Sequence, residues 1–263
     1  MAARSALFNV MERAVRKAAR GLVHDFGEVE NLQVSVKGPA DFVSTADLQA
    51  ERILKAELSK ARPDYGFLME ESGASAGDGR HRWIVDPLDG TTNFLHGIPQ
   101  FAISIGLERD GAVVAGVVYN PVNDELYTAE RGKGAFLNDR RLRVAARKEL
   151  TESVVGCALP HHGRGDLAQF RREFAAIQDK VAGLRRFGAA ALDLAFVAAG
   201  RLDAYWERGL SPWDMAAGIL LVREAGGFVT DLDGHDAMMT KGDVIAGNEA
   251  MHGQVLALLK SAQ

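Results

Sequence analysis

Apolar residues recur at helical spacing near the start of the chain. Leu7, Met11, Val15, Ala18 and Leu22 predict an amphipathic helix over roughly residues 4–25. A second helix is expected over roughly 45–61, with Ser44 and Thr45 as caps and Pro63 just beyond its end. The pattern then changes to short β-rich runs at 66–70, 82–86, 101–108, 112–119 and 125–130. Between two of them Arg109-Asp110-Gly111 supplies a hairpin turn, its glycine free to take positive φ. From about residue 150 strands and helices alternate. Strands are expected at 153–158, 184–187, 203–207, 228–230 and 244–246, and helices at 166–180, 189–199, 214–225 and 249–260. Helices on a largely antiparallel sheet, followed by a mixed α/β part, predict an α+β fold of stacked layers, with subdomains 1–145 and 146–263.

Composition narrows the class. With 47% hydrophobic and 25% charged residues over 263 positions, the chain reads as an ordinary globular protein with room for a large core. A net charge of -4 gives no general electrostatic reason to bind nucleic acid or an anionic membrane. Cys157 is the single cysteine, which excludes an intrachain disulfide and suits a reducing, cytoplasmic setting. No apolar run approaches the ~18 residues of a membrane span. Arg4, Arg13, Arg16 and Arg20 resemble a transit peptide only superficially, because Glu12 interrupts them and the apolar spacing is helical. The basic cluster Arg140, Arg141, Arg143, Arg147 and Lys148 is read as a solvated face.

Candidate chemistry gathers at strand ends and helix starts, where Asp47, Glu70, Glu71, Asp86, Asp89 and Asp214 fall. Two carboxylates ~4 Å apart at an effective dielectric near 20 repel by roughly 4 kcal/mol, so several converging acids need a cation. Oxygen-only ligands favour Mg²⁺, Mn²⁺ or Ca²⁺ over zinc. In Asp86-Pro87-Leu88-Asp89, the first acid could bridge two metals while Leu88 offers its carbonyl to one and Asp89 grips the other. Gly90-Thr91-Thr92 reads as the first turn of a helix whose free N–H groups could hold a phosphate. Such equipment suits metal-assisted phosphate ester hydrolysis. An Asp-rich turn capping a short helix is the competing reading at this point.

Four motifs in order then carry a resemblance. The stretch from Lys37 to Asp47, Glu70-Glu71-Ser72, the run Trp83-Ile-Val-Asp-Pro-Leu-Asp-Gly-Thr-Thr-Asn-Phe94 and Trp213-Asp214-Met-Ala-Ala-Gly218 together resemble the inositol monophosphatase family. The segments 187–194 and 205–214 look like its bacterial, SuhB-type branch. The resemblance implies a layered αβαβα sandwich, usually a homodimer. It also implies Mg²⁺-dependent hydrolysis of inositol 1-phosphate and similar polyol monophosphates. A first Mg²⁺ would be held by Glu70, Asp86 and the Leu88 carbonyl, a second by Asp86, Asp89 and Asp214, and a third by Glu70 through waters. The N-terminal subdomain would thus carry most metal ligands and the C-terminal one complete the site. The attacking water, at the first metal, would be oriented by Thr91 with Asp47 behind it. Phosphate would lie against Gly90 and Thr91, and substrate hydroxyls would meet Asp89, Ala190, Glu207 and Asp214. Lys37 and Glu71 are candidate outer residues.

Lithium sensitivity is a family trait, and Ser211, where animal enzymes carry a histidine, is a departure bearing on it. Related phosphatases of histidinol phosphate, fructose 1,6-bisphosphate or 3'-phosphoadenosine nucleotides are alternatives, as is a SuhB-type role as partner of RNA polymerase and Nus factors in transcription antitermination. Other features take blander readings. Asp231-Leu-Asp-Gly-His-Asp236 echoes a calcium loop without its later glutamate and is expected to be a turn between two strands. Cys157 with His161 and His162 lacks the partners of a soft-metal site. Trp83 and Trp213 are expected to anchor the core, and His96 is given no role.

Overall fold

The first apolar stripe becomes helix α1 (Ala6–Phe26), started by the Ser5 side chain, which accepts the Phe8 N–H. The structure, a computed structural model, describes residues 5–28, 34–38, 41–160 and 165–262, with backbone alone at 34–38 and 41–43. The Lys37 side chain and the pair His161 and His162 lie outside the described residues. Strands β1 (Val34–Gly38) and β2 (Asp41–Ser44) pair with each other and lead into α2 (Thr45–Ala61). Next come β3 (Gly66–Met69), β4 (Gly73–Ser75), β5 (His81–Asp89), the short helix α3 (Thr91–Leu95), β6 (Ala102–Arg109), β7 (Ala112–Asn120), β8 (Glu125–Glu130), β9 (Gly134–Leu137) and β10 (Arg140–Arg141). They form one sheet in the order β10-β9-β8-β7-β6-β5-β3-β4, antiparallel except where β3 runs beside β5. The β6–β7 turn places both Asp110 (φ 50°) and Gly111 (φ 77°) in the left-handed region, the two-residue hairpin form that matches strand twist.

The second half supplies β11 (Val154–Cys157), α4 (Leu167–Gln178), β12 (Gly183–Arg185), α5 (Ala190–Ala198), β13 (Ala204–Glu207), α6 (Pro212–Glu224), β14 (Phe228–Thr230), α7 (Met238–Lys241), β15 (Val244–Gly247) and α8 (Glu249–Ser261). Its five strands lie in the order β12-β11-β13-β15-β14, with the first three parallel and the last pairings antiparallel.

Alternation along the strands divides the core into three. Val117 and Tyr119 of β7 face α1 and α2, whereas Val118 faces α5 and α6. On β13, Tyr205 joins the α5–α6 core, and Ala204 and Trp206 join α4 and α8. The outcome is five layers, αβαβα, as the resemblance implies. Strands β1, β2, β4, β9 and β10 and helix α7 are absent from the expectation.

Helix α6 crosses the large sheet on a track without side chains. Gly106 and Gly116 are direct partners on β6 and β7. A Cβ on the first would stand 3.0 Å from the Ala216 methyl, and on the second 3.0 Å from the Ala217 Cα. This close approach sets the depth of α6 and hence of Asp214 at its start. Gly116→Val should therefore destabilise the fold by about 1–3 kcal/mol through overpacking, read from the urea midpoint of unfolding.

Candidate active site

The Asp86-Pro87-Leu88-Asp89 stretch forms the end of β5, and its backbone departs from a regular strand. Asp86 pairs with Ser104 and Asp89 with Ala102, so three steps on β5 oppose two on β6. On an uninterrupted strand, residues three apart face opposite sides of the sheet. The extra residue of this bulge returns Asp89 to the face of Asp86. Proline suits the position, since it has no N–H to lose from the ladder. The Leu88 N–H turns back onto Asp86 Oδ1 at 2.9 Å. At Gly90 the chain takes φ 90°, and a Cβ there would stand 2.8 Å from the Gln100 carbonyl oxygen. Only glycine fits, and α3 starts immediately after it.

Three helices start around these acids. The Ala191 N–H at the head of α5 donates to Asp89 Oδ2 at 2.8 Å. At the head of α6 the Ser211 N–H donates to Asp214 Oδ2 at 2.7 Å. At the head of α2 the Ser44 N–H and hydroxyl donate to Asp47 Oδ2 at 2.8 and 2.5 Å. The other Asp47 oxygen faces Thr91, whose hydroxyl lies 3.1 Å from Asp47 Oδ1 and 3.0 Å from the Leu88 carbonyl.

The acids share a pocket of about 340 Å³. Glu70, Asp86, Leu88, Asp89 and Asp214 line it, together with Gly90, Thr91, Ala190 and Glu207. Asp47 is fully buried behind Thr91 and does not line it. Nor does Glu71, whose N–H is held by the buried Glu51 carboxylate at 2.9 Å. Trp83 is a core anchor as expected, but Trp213 is only partly buried and lines the pocket. Being the second residue of α6, it sits at the pocket mouth and not along the helix's buried length.

Electrostatics follow from burial and crowding. Burial, then the charges of Glu70, Asp89 and Asp214, raise Asp86 well above the ordinary carboxylate range. Burial pushes Asp89 up to about 7, opposed by the Ala191 N–H and reinforced by Glu207. Asp214 is pushed up to about 7 by burial and by Asp89. Glu207 is pushed up to about 8 by burial, against a hydrogen bond from the Tyr205 hydroxyl. Asp47 is also raised by burial, its Ser44 hydrogen bonds opposing the shift.

Such an excess of buried carboxylate calls for positive charge, and an all-oxygen donor set fits hard divalent ions of the Mg²⁺ kind. Among the described residues, only Asp231, Asp233 and His235 bring three acid or imidazole atoms within 4.8 Å of one another. There Lys241 already supplies the cation, 2.8 Å from Asp231 and 2.5 Å from Asp233. This turn does connect two paired strands, but through α7 and not as a tight hairpin. In the pocket Asp86 and Glu70 share a hydrogen bond, with Asp89 and Asp214 close enough for their charges to act on Asp86.

Sequence reasoning gives three residues here no place in the pocket's construction. The Asn93 amide donates to the carbonyls of Gln100 at 2.8 Å and Phe187 at 2.7 Å, clamping α3 to the loop before α5. Asp193 is buried, and neither carboxylate oxygen has a hydrogen-bond partner among the described residues. Burial and Glu207 raise it well above the ordinary range. A lone acid in Ala190-Ala-Leu-Asp-Leu-Ala-Phe was the available signal. Arg186 lines the pocket from the same loop as Phe187.

Comparison with known proteins agrees with this architecture. The profile of the inositol monophosphatase family matches residues 3–263. An inositol-1-monophosphatase of Mesorhizobium japonicum is 64% identical over 98% of this chain and 97% of its own length. A Nus factor SuhB of Pseudomonas aeruginosa is 44% identical, covering 92% and 91%. The crystal structure of the extragenic suppressor protein suhB from Bartonella henselae superposes with a TM-score of 0.94 at 60% identity, over 97% of this chain and 99% of that one. The chain belongs to the inositol monophosphatase family of phosphatases.

Proposed function

We propose that the protein hydrolyses inositol 1-phosphate and similar polyol monophosphates with Mg²⁺ as cofactor. The observation carrying this reading is the bulge at Pro87 and Leu88, which turns Asp86 and Asp89 to one face beside Glu70, Asp214 and the Gly90–Thr91 turn. Glu70, Asp86 and the Leu88 carbonyl would hold one ion, Asp86, Asp89 and Asp214 a second, and Glu70 a third through waters. Bound divalent ions supply charge neutralisation for the phosphate and lower the pKa of water. Residues before about 145 then contribute most ligands, and the later part completes the site with Asp214 and Glu207.

Thr91 has a defined part. Its hydroxyl donates its single proton to the Asp47 carboxylate or the Leu88 carbonyl, leaving lone pairs to accept a hydrogen bond from the attacking water and aim it. The backbone N–H groups of Gly90 and Thr91 would meet phosphate oxygens, while Ala190 and Glu207, with Asp89 and Asp214, would meet substrate hydroxyls. A homodimer, a cytoplasmic setting and lithium sensitivity belong to the same reading and rest on the family resemblance. A second role in transcription antitermination has the support of the relative called a Nus factor. Retention of Nus factors or RNA polymerase by the tagged protein at low salt tests it, and their absence removes it.

Phosphate release from inositol 1-phosphate should require Mg²⁺ and cease in EDTA; equal rates in both would overturn the reading. Thr91→Ala should lower kcat by about 10–100-fold, as loss of an orienting neighbour of a metal site does, and Asp89→Asn should cost more. Asp89, Asp214 and Glu207 bind protons more tightly folded than unfolded, so their stabilising contribution is complete below about pH 4, declines as pH rises above it and is fully lost once pH has passed 7 to 8. In EDTA the melting temperature should therefore fall from about pH 5 to about pH 8 and level off above it, and added Mg²⁺ should raise it most at the alkaline end.

A further inference from the structure

Helix α2 buries a stripe that includes Asp47, Ala50, Glu51, Leu54 and Leu58. Two acids thus stand one helical turn apart among apolar neighbours. Asp47 faces Thr91, whereas Glu51 is 6% exposed and does not line the pocket. Its partners are backbone N–H groups. Glu51 Oε2 accepts from the Glu71 N–H at 2.9 Å and, more weakly, from the Ser72 N–H at 3.4 Å. Both belong to the three-residue turn Glu70-Glu71-Ser72, since Met69 on β3 pairs with Gly73 on β4. Gly73 closes that turn at φ 72°, the left-handed position of a three-residue hairpin. The other side of the turn is fixed by β5, where the Glu70 N–H donates to the Val85 carbonyl at 3.2 Å, one residue before Asp86. Hydrogen-bond accounting alone does not call for Glu51. The turn is half-buried at Glu70 and Glu71 and exposed at Ser72, so water can reach it and satisfy such groups. An acid kept in an apolar stripe also costs desolvation that a neutral side chain would avoid.

We infer that Glu51 is a positioning residue, which sets Glu70 in the pocket by gripping the turn that follows it. The inference deepens the phosphatase reading, in which Glu70 holds Mg²⁺, and rests on that reading. Glu51 acts through the backbone. A carboxylate on the Glu71 N–H fixes the peptide plane directly after Glu70, and a charge-assisted bond does so more firmly than water. The direction in which Glu70 leaves the turn is then set before an ion arrives, as outer partners of metal ligands do. Helix α2 also joins two parts of the site. It carries Asp47 against Thr91 and, one turn on, Glu51 against the Glu70 turn, so both are held in one frame.

The test measures Mg²⁺ binding directly, by calorimetric titration of the full chain without substrate, beside phosphate release from inositol 1-phosphate. Glu51→Met keeps the length of the side chain but no acceptor. It should weaken Mg²⁺ binding by about 10-fold and raise the Mg²⁺ concentration for half-maximal phosphate release by a similar factor. Glu51→Gln keeps a neutral acceptor and should lose less, about threefold. In a Glu70→Gln background each substitution should change Mg²⁺ binding by less than about twofold, because a residue that acts through Glu70 then has nothing left to position. A side chain that merely stabilises the fold would weaken binding alike in both backgrounds. If Glu51→Met does not fold, Glu51→Gln carries the same comparison. Unchanged Mg²⁺ affinity in the Glu51 variants, or an equal loss with and without the Glu70 carboxylate, overturns the inference and leaves the phosphatase reading standing. A wild type that binds no Mg²⁺ removes both, an outcome distinct from either.

Discussion

Mutual repulsion among desolvated carboxylates is the constraint around which this molecule is organised. Asp86, Asp89 and Asp214 are pressed together with Glu70 in one pocket, and each acid other than Glu70 is raised well out of its ordinary range by burial and by the rest. The fold answers with fixed partial positive charge. The Leu88 N–H faces Asp86, and the first N–H groups of α5 and the residue before α6 face Asp89 and Asp214. Free N–H groups at helix starts are natural partners for anions, and backbone dipoles cost no reorganisation when a ligand arrives. They moderate the repulsion without cancelling it, and the remaining negative charge, on oxygen donors alone, suits a hard cation.

Bringing the acids together is a problem of backbone parity. A strand alternates its faces, so an Asp-x-x-Asp spacing separates its two carboxylates unless the register slips by one. The bulge supplies that slip, and proline is tolerated there because the ladder is already interrupted. Gly90 then turns the chain through a conformation and a gap that no other residue fits. These local devices are all within a few residues, yet they act only because β6 holds the other side of the register.

The remaining acid, Asp214, arrives from far along the chain on α6, the helix sandwiched between the two sheets. Its small residues, Ala216 and Ala217, ride on the paired glycines of β6 and β7, and a Cβ at Gly218 would stand 2.6 Å from Leu194 of α5. Close packing of this kind has no slack, since protein interiors resist even one added methyl group. The position of Asp214 is thus a consequence of core packing, as that of Asp89 is a consequence of register. Asn93 adds a third tie, from α3 to the loop carrying Phe187 and Gly188. The Asp86–Asp89 side of the pocket and the side formed by the loop before α5 are held to each other by that amide.

Much of this was legible in the chain itself. The long helices and the strands of the central sheet stood out because their apolar periods run over many residues, and Asp86, Asp89, Glu70 and Asp214 stood out because short motifs recur in a known order. Strands β4, Gly-Ala-Ser, and β10, Arg-Arg, left no such trace, because neither carries a large apolar residue. Nor did the placement of Asn93, Asp193 and Arg186, which depends on carbonyls, acids and open space contributed by distant segments. Trp213 shows the same limit: its apolar character implied the core, but its place in the first turn of α6 put it at the pocket. The sequence by itself determined which residues could carry charge, turn sharply or pack closely, because those properties are local. Only the tertiary structure decided which of them meet, because register across β5 and β6 and the depth of α6 are set by partners far away in the chain.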